Sequence, residues 1–264
     1  MNNMAKRVLV ALLCIPGLLY ILYSGGLAII ILFFIVSVIG FYEYIRMMQR
    51  TGAGISYFWL IVNAIVYLAL VFSRKYDLSI LWFVFVLSLI TSMLFWSGQR
   101  SIQGMLAGFF GVIYTGMMPA LIVRISADWQ NKKILLALIL MIWIVDTSAY
   151  FIGMSFGKHR NITKISPMKS IEGFIAGCLA PFIVVLCFKV FDISIFSMFE
   201  LGLIAFAAGF WGQLGDLAES MLKRYCNVKD SSDLIPGHGG VLDRMDSILL
   251  SGSFLYTILM IFNK

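Results

Sequence analysis

The sequence predicts an all-α, polytopic integral membrane protein with about nine transmembrane helices. Three observations lead there. Hydrophobic residues make up 61% of the 264-residue chain, against about 45–50% in an average soluble domain. Charged residues make up only 12%, about half the usual share, and the mean hydropathy is +0.95. The apolar residues also fall into runs close to the roughly 20 residues that cross a hydrocarbon core about 30 Å thick. A water-soluble enzyme of this size would need far more polar surface, and disorder requires low hydrophobicity. Both are excluded. Spans of this number leave only loops and ends, so residues 1–264 read as a single membrane domain.

In order, the runs are 8–23, 27–45, 56–72, 78–96, 102–123, 134–153, 171–190, 200–221 and 247–262. The first resembles a signal peptide, with Lys6 and Arg7 ahead of an apolar stretch. No small-x-small site clearly ends it, and another span follows Ser24-Gly25-Gly26, so it reads as an uncleaved first helix. The fifth run is diluted by Gly104, Gly108, Gly111 and Gly116, which membrane helices tolerate. Glu43, between Tyr42 and Tyr44, reads as interfacial and receives no role. The sixth carries Asp146 near its end, with Tyr150 one turn on. An acid inside an apolar run is functional by default. Gly153 and Gly157 form a GxxxG that reads as helix packing, as do Gly209, Gly212 and Gly215 in the eighth run.

The net charge is +7, from 20 Lys and Arg against 13 Asp and Glu. No basic segment lies on a groove-sized polar element, so nucleic acid is not the expected partner. Positive-inside bias and attraction to anionic lipid account for the excess. With the N-terminus cytoplasmic, the inside loops gain Lys158, Arg160, Lys164 and Lys169, then Lys223, Arg224, Lys229 and Arg244. Lys132 and Lys133 on the other side weaken that bias. The expected location is the plasma or inner membrane, with the site facing the cytoplasm. Cys14, Cys178, Cys187 and Cys226 form no CxxC pair and read as buried small hydrophobes.

Most acidic residues lie in the second half. Residues 1–130 therefore read as structural helices and 131–264 as the catalytic half. Three constellations stand out. In Gly215-Asp216-Leu217-Ala218-Glu219-Ser220 the i,i+3 and i,i+4 spacings put both carboxylates and the hydroxyl on one helix face. Two carboxylates there repel and stay ionised only if cations come in. From Lys223 to Asp246 the chain supplies Lys223, Arg224, Lys229 and Arg244, suited to phosphates, and repeats the acid pair as Asp243 and Asp246. Between them, Pro236, Gly237, Gly239 and Gly240 allow tight backbone turns around His238, with N–H groups that can face anionic oxygen. Finally, Ser166-Pro167 has the form of a helix N-cap with Pro at the first position, which places Lys169 at a positive helix end and makes it an anion-site candidate.

These residues ask for a membrane enzyme that handles several phosphates with a carboxylate-bound divalent metal, one reactant a lipid phosphate and the other a nucleotide. The segment Ser220-x-Leu-Lys223-Arg224-x4-Lys229-Asp230-x4-Ile235-Pro236-x-His238-Gly239-Gly240-Val-x-Asp243-Arg244-Met-Asp246 resembles the complete signature of the phosphatidate cytidylyltransferase, or CDP-diacylglycerol synthase, family. Asp146 and Ser166-Pro167-x-Lys169-Ser170-x-Glu172-Gly173 resemble that family's preceding region.

The resemblance implies that CTP and phosphatidate give CDP-diacylglycerol and pyrophosphate in phospholipid biosynthesis. It implies magnesium, alone or with a second cation in a paired-metal centre, and a homodimer. By position, Asp216, Glu219, Asp243 and Asp246 are the expected metal ligands, and Asp216, Asp243, Asp246 and Lys223 the catalytic residues. Ser220, Arg224, Lys229, His238, Gly239, Gly240 and Arg244 are expected at the substrates, with Lys169 and Asp146 in supporting positions. Two rivals make other predictions. A CTP-dependent polyprenol kinase would release CDP, and an anion transporter would consume no CTP.

Overall fold

The computed structural model describes residues 3–129, 131, 133–160, 163–235, 237 and 239–262, with the backbone alone for 3–11, 13 and 14. Among these residues the secondary structure is helical, and the β pairings are the isolated bridges Arg160 to Ser170 and Ile235 to Gly239. In chain order the helices are α1 (Asn3–Ser24), α2 (Leu27–Gln49), α3 (Phe58–Phe72), α4 (Asp77–Leu94), α5 (Gln99–Asp128), α6 (Ile134–Phe156), α7 (Ile171–Val190), α8 (Met198–Tyr225) and α9 (Leu242–Phe262). Each coincides with one predicted run. Seven, α2 and α4 to α9, are long and apolar enough to cross a membrane, whereas α3 and the described apolar part of α1 (Ile15–Ser24) are shorter. The protein is therefore a polytopic helical membrane protein.

Two helices contain a widened π turn, at Ile113–Met117 in α5 and Ala207–Gly212 in α8. Such turns are single local expansions of an α-helix. Starts are set by capping. Ser197 and Glu200 form a reciprocal capping box at the start of α8. At α7 the cap is Ser170, whose hydroxyl accepts from Gly173 N–H at 3.1 Å, and Glu172 complements the positive helix end. This corrects the expectation of a cap at Ser166. Residues 166–169 close a turn (Lys169 N–H to Ser166 C=O, 3.2 Å), because Ser170 is the hydroxyl with a free N–H three residues on.

Contacts divide the chain into two compact units. The first comprises residues up to Arg124 with Leu222–Arg244. Its α5 glycines are seats for close packing. A Cβ at Gly104 would meet the Gly54 carbonyl at 2.6 Å, and at Gly108 the Trp59 ring at 2.9 Å. The buried Arg124 guanidinium, 1% exposed, pairs with Asp77 at 2.6 Å and donates to the Leu70 and Ser73 carbonyls. Asn63 links Ser37 and Thr115. These polar ties are structural, since apolar helices must satisfy every polar group internally.

The second unit comprises Ile125–Met221 and Met245 onward. Here α6 and α7 lie close because Gly173 faces the Ala149 carbonyl and Gly153, where a Cβ would fall 2.8 and 3.1 Å away. The GxxxG packs helices, as predicted. Gly209 faces Cys178 in the same way. Large apolar side chains such as Trp82, Phe83, Leu94, Leu179 and Ile183 are exposed, as lipid contact requires. Cys178, Cys187 and Cys226 are free thiols. Cys187 is exposed, contrary to the expectation of burial, because it lies on the outward face of α7. The Cys14 side chain lies outside the described residues.

Candidate active site

The second unit holds a cavity of about 610 Å³ lined by Asp146, Arg160, Lys169, Ser170, Gln213 and Asp216 along with apolar neighbours. Helix α8 presents Asp216 and α6 presents Asp146, while the turn before α7 presents Lys169. The Lys169 ammonium lies 2.6 Å from the Asp216 carboxylate, both partly exposed. Ser220 Oγ donates to Asp216 at 3.4 Å, so these two share a helix face. Arg160 reaches the carbonyls of Gly157 and Gly153 at 3.4 and 3.5 Å. Buried Gln213 donates to the carbonyls of Phe174 (3.1 Å) and Gly209 (2.6 Å) and fixes the wall beside Asp216. The cavity thus combines two cations, two carboxylates and the hydroxyls of Ser170 and Tyr150, a set suited to phosphate oxygens and a balancing cation.

The same unit brings Asp246 to α8. Gly215 rests against the Asp246 carbonyl and the Ser247 Cα, and a Cβ there would lie 3.1 Å from the latter. Only glycine lets the backbones meet so closely. Glu219, one turn beyond Asp216, is fully buried. Asp216, Glu219 and Asp246 offer oxygen donors alone, the chemistry of a hard divalent cation, on two helix segments in backbone contact. In donor type, though not in convergence, the set suits the implied magnesium. Among the described residues, no three His, Cys, Asp or Glu side chains come together closely enough to hold a metal ion by themselves, so phosphate oxygens of a substrate would have to complete any such site.

In the first unit, the signature loop encloses a polar cavity of about 390 Å³ lined by Lys229, Asp230, Asp233, Gly237, Gly239 and Arg244. Gly237 and Gly239 have φ of 77° and 80°, a region that suits glycine. A Cβ at Gly239 would fall 2.7 Å from Asp243 Oδ2. Asp243 anchors the loop. Its carboxylate accepts from Lys223 Nζ at 2.6 Å, and from Ser231 N–H, Ser231 Oγ–H and Gly240 N–H at 2.8 Å each. Arg224 is exposed on the last turn of α8. His238 lies outside the described residues.

Residues the sequence reading missed are now evident. Glu43, assigned no role, is buried at 2% exposure. It accepts from Ser231 Oγ (3.1 Å), Ser232 Oγ (2.5 Å), Val241 N–H (3.0 Å) and Leu242 N–H (2.9 Å). It therefore holds the signature loop and caps α9. A carboxylate within the apolar second run was its signal. Arg160 was counted only as a loop charge, and Gln213 carried no signal beyond being polar among glycines.

The sequence profile of the Cytidylyltransferase family matches residues 5–262. Over 272 aligned positions the chain is 30% identical to the phosphatidate cytidylyltransferase of Bacillus subtilis, covering 100% of both proteins. It is 42% identical over 120 residues to that of Staphylococcus epidermidis, covering 46% of each chain. Over 113 residues it is 45% identical to the Staphylococcus aureus protein, covering 42% of each. A profile that runs nearly end to end, together with a relative alike over its whole length, settles the kinship that the signature loop announced: the chain belongs to the cytidylyltransferase family.

Proposed function

We propose that this enzyme is a phosphatidate cytidylyltransferase, transferring the cytidylyl group of CTP to phosphatidate. A phosphate oxygen of phosphatidate forms the new bond to the α-phosphorus of CTP in line. The bond from that phosphorus to the bridging oxygen breaks, and pyrophosphate leaves with the electron pair. The lipid phosphate already presents an anionic oxygen near neutral pH (second pKa about 6), so no side chain has to remove a proton. Positioning and charge compensation carry the reaction.

The observation that carries this reading is the Lys169–Asp216 pair at 2.6 Å on the wall of a cavity that also holds Arg160 and Asp146. A cation balanced by a carboxylate can turn to an incoming phosphate while the carboxylate takes up a metal. Asp216, Glu219 and Asp246 would hold magnesium, with or without a second cation, and the bound ion would offset charge on phosphate oxygens. Lys169 and Arg160 would bind phosphate oxygens, and Ser220 would orient Asp216. Lys223 and Asp243 would hold the signature loop in shape so that Lys229, Arg244 and the Gly239–Gly240 backbone can meet nucleotide phosphates, with Arg224 also serving the substrates; the resemblance adds His238 to that role. The site would face the cytoplasm of the cell membrane, and the enzyme would act as a homodimer.

The test is the identity of the released product. Purified protein with CTP, magnesium and phosphatidate should accumulate pyrophosphate and CDP-diacylglycerol in equal amounts. Release of CDP would identify a kinase, and absence of CTP consumption would reject nucleotide transfer.

A further inference from the structure

The first unit contains another cavity, of about 490 Å³, that the proposed chemistry leaves unused. One end is apolar, walled by Val38, Ile39 and Leu60, while the other carries Arg46 and Arg50. The arginines lie four residues apart, so they share one face at the end of α2. Both are exposed, and no carboxylate pairs with either among the described residues. Arg46 lies over the Tyr42 ring, 5.9 Å from its centroid, and Tyr42 stacks on Tyr57 at 6.0 Å. Tyrosines at the end of an apolar helix mark the membrane–water boundary. The apolar end of the cavity therefore lies toward the hydrocarbon and the guanidinium groups lie at headgroup level. Two acids also line it. Glu43 is already occupied by four donors, and Asp233 is exposed on the signature loop. The four formal charges balance, but Glu43 has its oxygens taken up by those donors, so the two exposed guanidinium groups are what the cavity offers to an anionic oxygen.

We propose that this cavity seats an anionic glycerophospholipid, with an acyl chain against Val38, Ile39 and Leu60 and the phosphate on Arg46 and Arg50. A polar anion alone would leave the apolar wall wetted, and a neutral lipid would leave the arginines without a partner. The volume lies in the range of about 300–1,000 Å³ usual for ligand sites. Arginine is also the side chain whose planar fork suits phosphate best. The lipid could be the acceptor phosphatidate or a bulk anionic lipid, and both share this chemistry. Because Glu43 and Ser232 belong to the same wall and also hold the signature loop, a seated lipid touches the loop that bears Lys229 and Arg244.

Lipid retention tests this without turnover, so its failure is separate from failure of the reaction proposed above. The protein is placed in nanodiscs of phosphatidylcholine doped with phosphatidate or phosphatidylglycerol, extracted, and its bound lipid counted by native mass spectrometry. The wild type should keep an anionic lipid. The double variant Arg46→Gln/Arg50→Gln should lose it about tenfold or more, and Arg46→Lys/Arg50→Lys should keep most of it. Both positions are exposed, so folding is not at risk. Leu60→Trp, which fills the apolar end, should reduce retention with both arginines in place. Preference for phosphatidate over phosphatidylglycerol would identify the acceptor, and equal retention a bulk lipid. Retention of phosphatidylcholine equal to either, or an unchanged double glutamine variant, would overturn the proposal.

Discussion

The Lys223 ammonium lies 2.6 Å from the Asp243 carboxylate, with the two side chains only 13% and 5% exposed. The last turn of α8 is thereby tied to the first turn of α9 by a nearly dry ion pair. Asp243 also takes three donors from Ser231 and Gly240, so removing its charge takes from the partly buried Lys223 ammonium the carboxylate 2.6 Å away. Such a loss is costly, about 3–5 kcal/mol where burial is complete. Asp243→Asn should lower turnover by about 100-fold or more while the helices stay folded in detergent. The loop from Lys229 to Gly240 should become sensitive to protease. Pyrophosphate release and limited proteolysis check both effects, and near-normal turnover with a resistant loop would remove Asp243 from any role there.

Lys169 and Asp216 form the opposite kind of pair. Their side chains are 26% and 36% exposed, so solvent screens them and the bridge contributes about 0–1 kcal/mol to stability. Lys169→Met and Asp216→Asn should barely move the melting temperature yet lower activity by about 100-fold. Equal losses of both would mean a structural tie.

Glu43 offers a test of the first half of the chain. Glu43→Ala leaves the buried N–H of Leu242 and the half-buried N–H of Val241 without their acceptor, at about 1–3 kcal/mol for the buried one. Glu43→Gln keeps one acceptor oxygen and should cost less. Thermal unfolding in detergent should rank wild type above Gln above Ala.

How far the sequence announced this molecule depends on what each residue does. Runs of apolar residues specify membrane helices directly, so every helix coincides with a predicted run. The signature loop was legible because its glycines and charges follow one another along the chain. Glu43 was not, because its partners Ser231, Ser232, Val241 and Leu242 are distant in sequence and only the fold joins them. The cap at Ser170 was missed for a local reason: Ser166-Pro167 imitates a helix start, and the choice between two serines rests on which finds a free N–H three residues ahead. Arg160 and Gln213 were invisible as site residues because a cavity wall has no sequence period.

The Cys226 thiol, 2% exposed, has its pKa pushed above the usual value by burial, with Arg50 opposing weakly. The neutral form is therefore held in the folded state. Its contribution to stability is present in full below the ordinary thiol value of about 8.5, and is lost as pH rises toward the folded value. N-ethylmaleimide at neutral pH should label exposed Cys187 well before Cys226, with Cys226 reacting at high pH or on unfolding. Rapid labelling of Cys226 at neutral pH would contradict the burial.

The widened turn at Ala207–Gly212 lies upstream of Asp216 and Glu219 on the same helix. Each residue advances an α-helix by about 100°, so the extra residue accommodated there sets the compass bearing of every side chain that follows. Tightening that stretch to an ordinary spiral by deleting one residue would swing both carboxylates about a quarter-turn off course and carry Gly215 away from its seat. In this enzyme the aim of the acidic face is set by a backbone irregularity placed before the acids themselves.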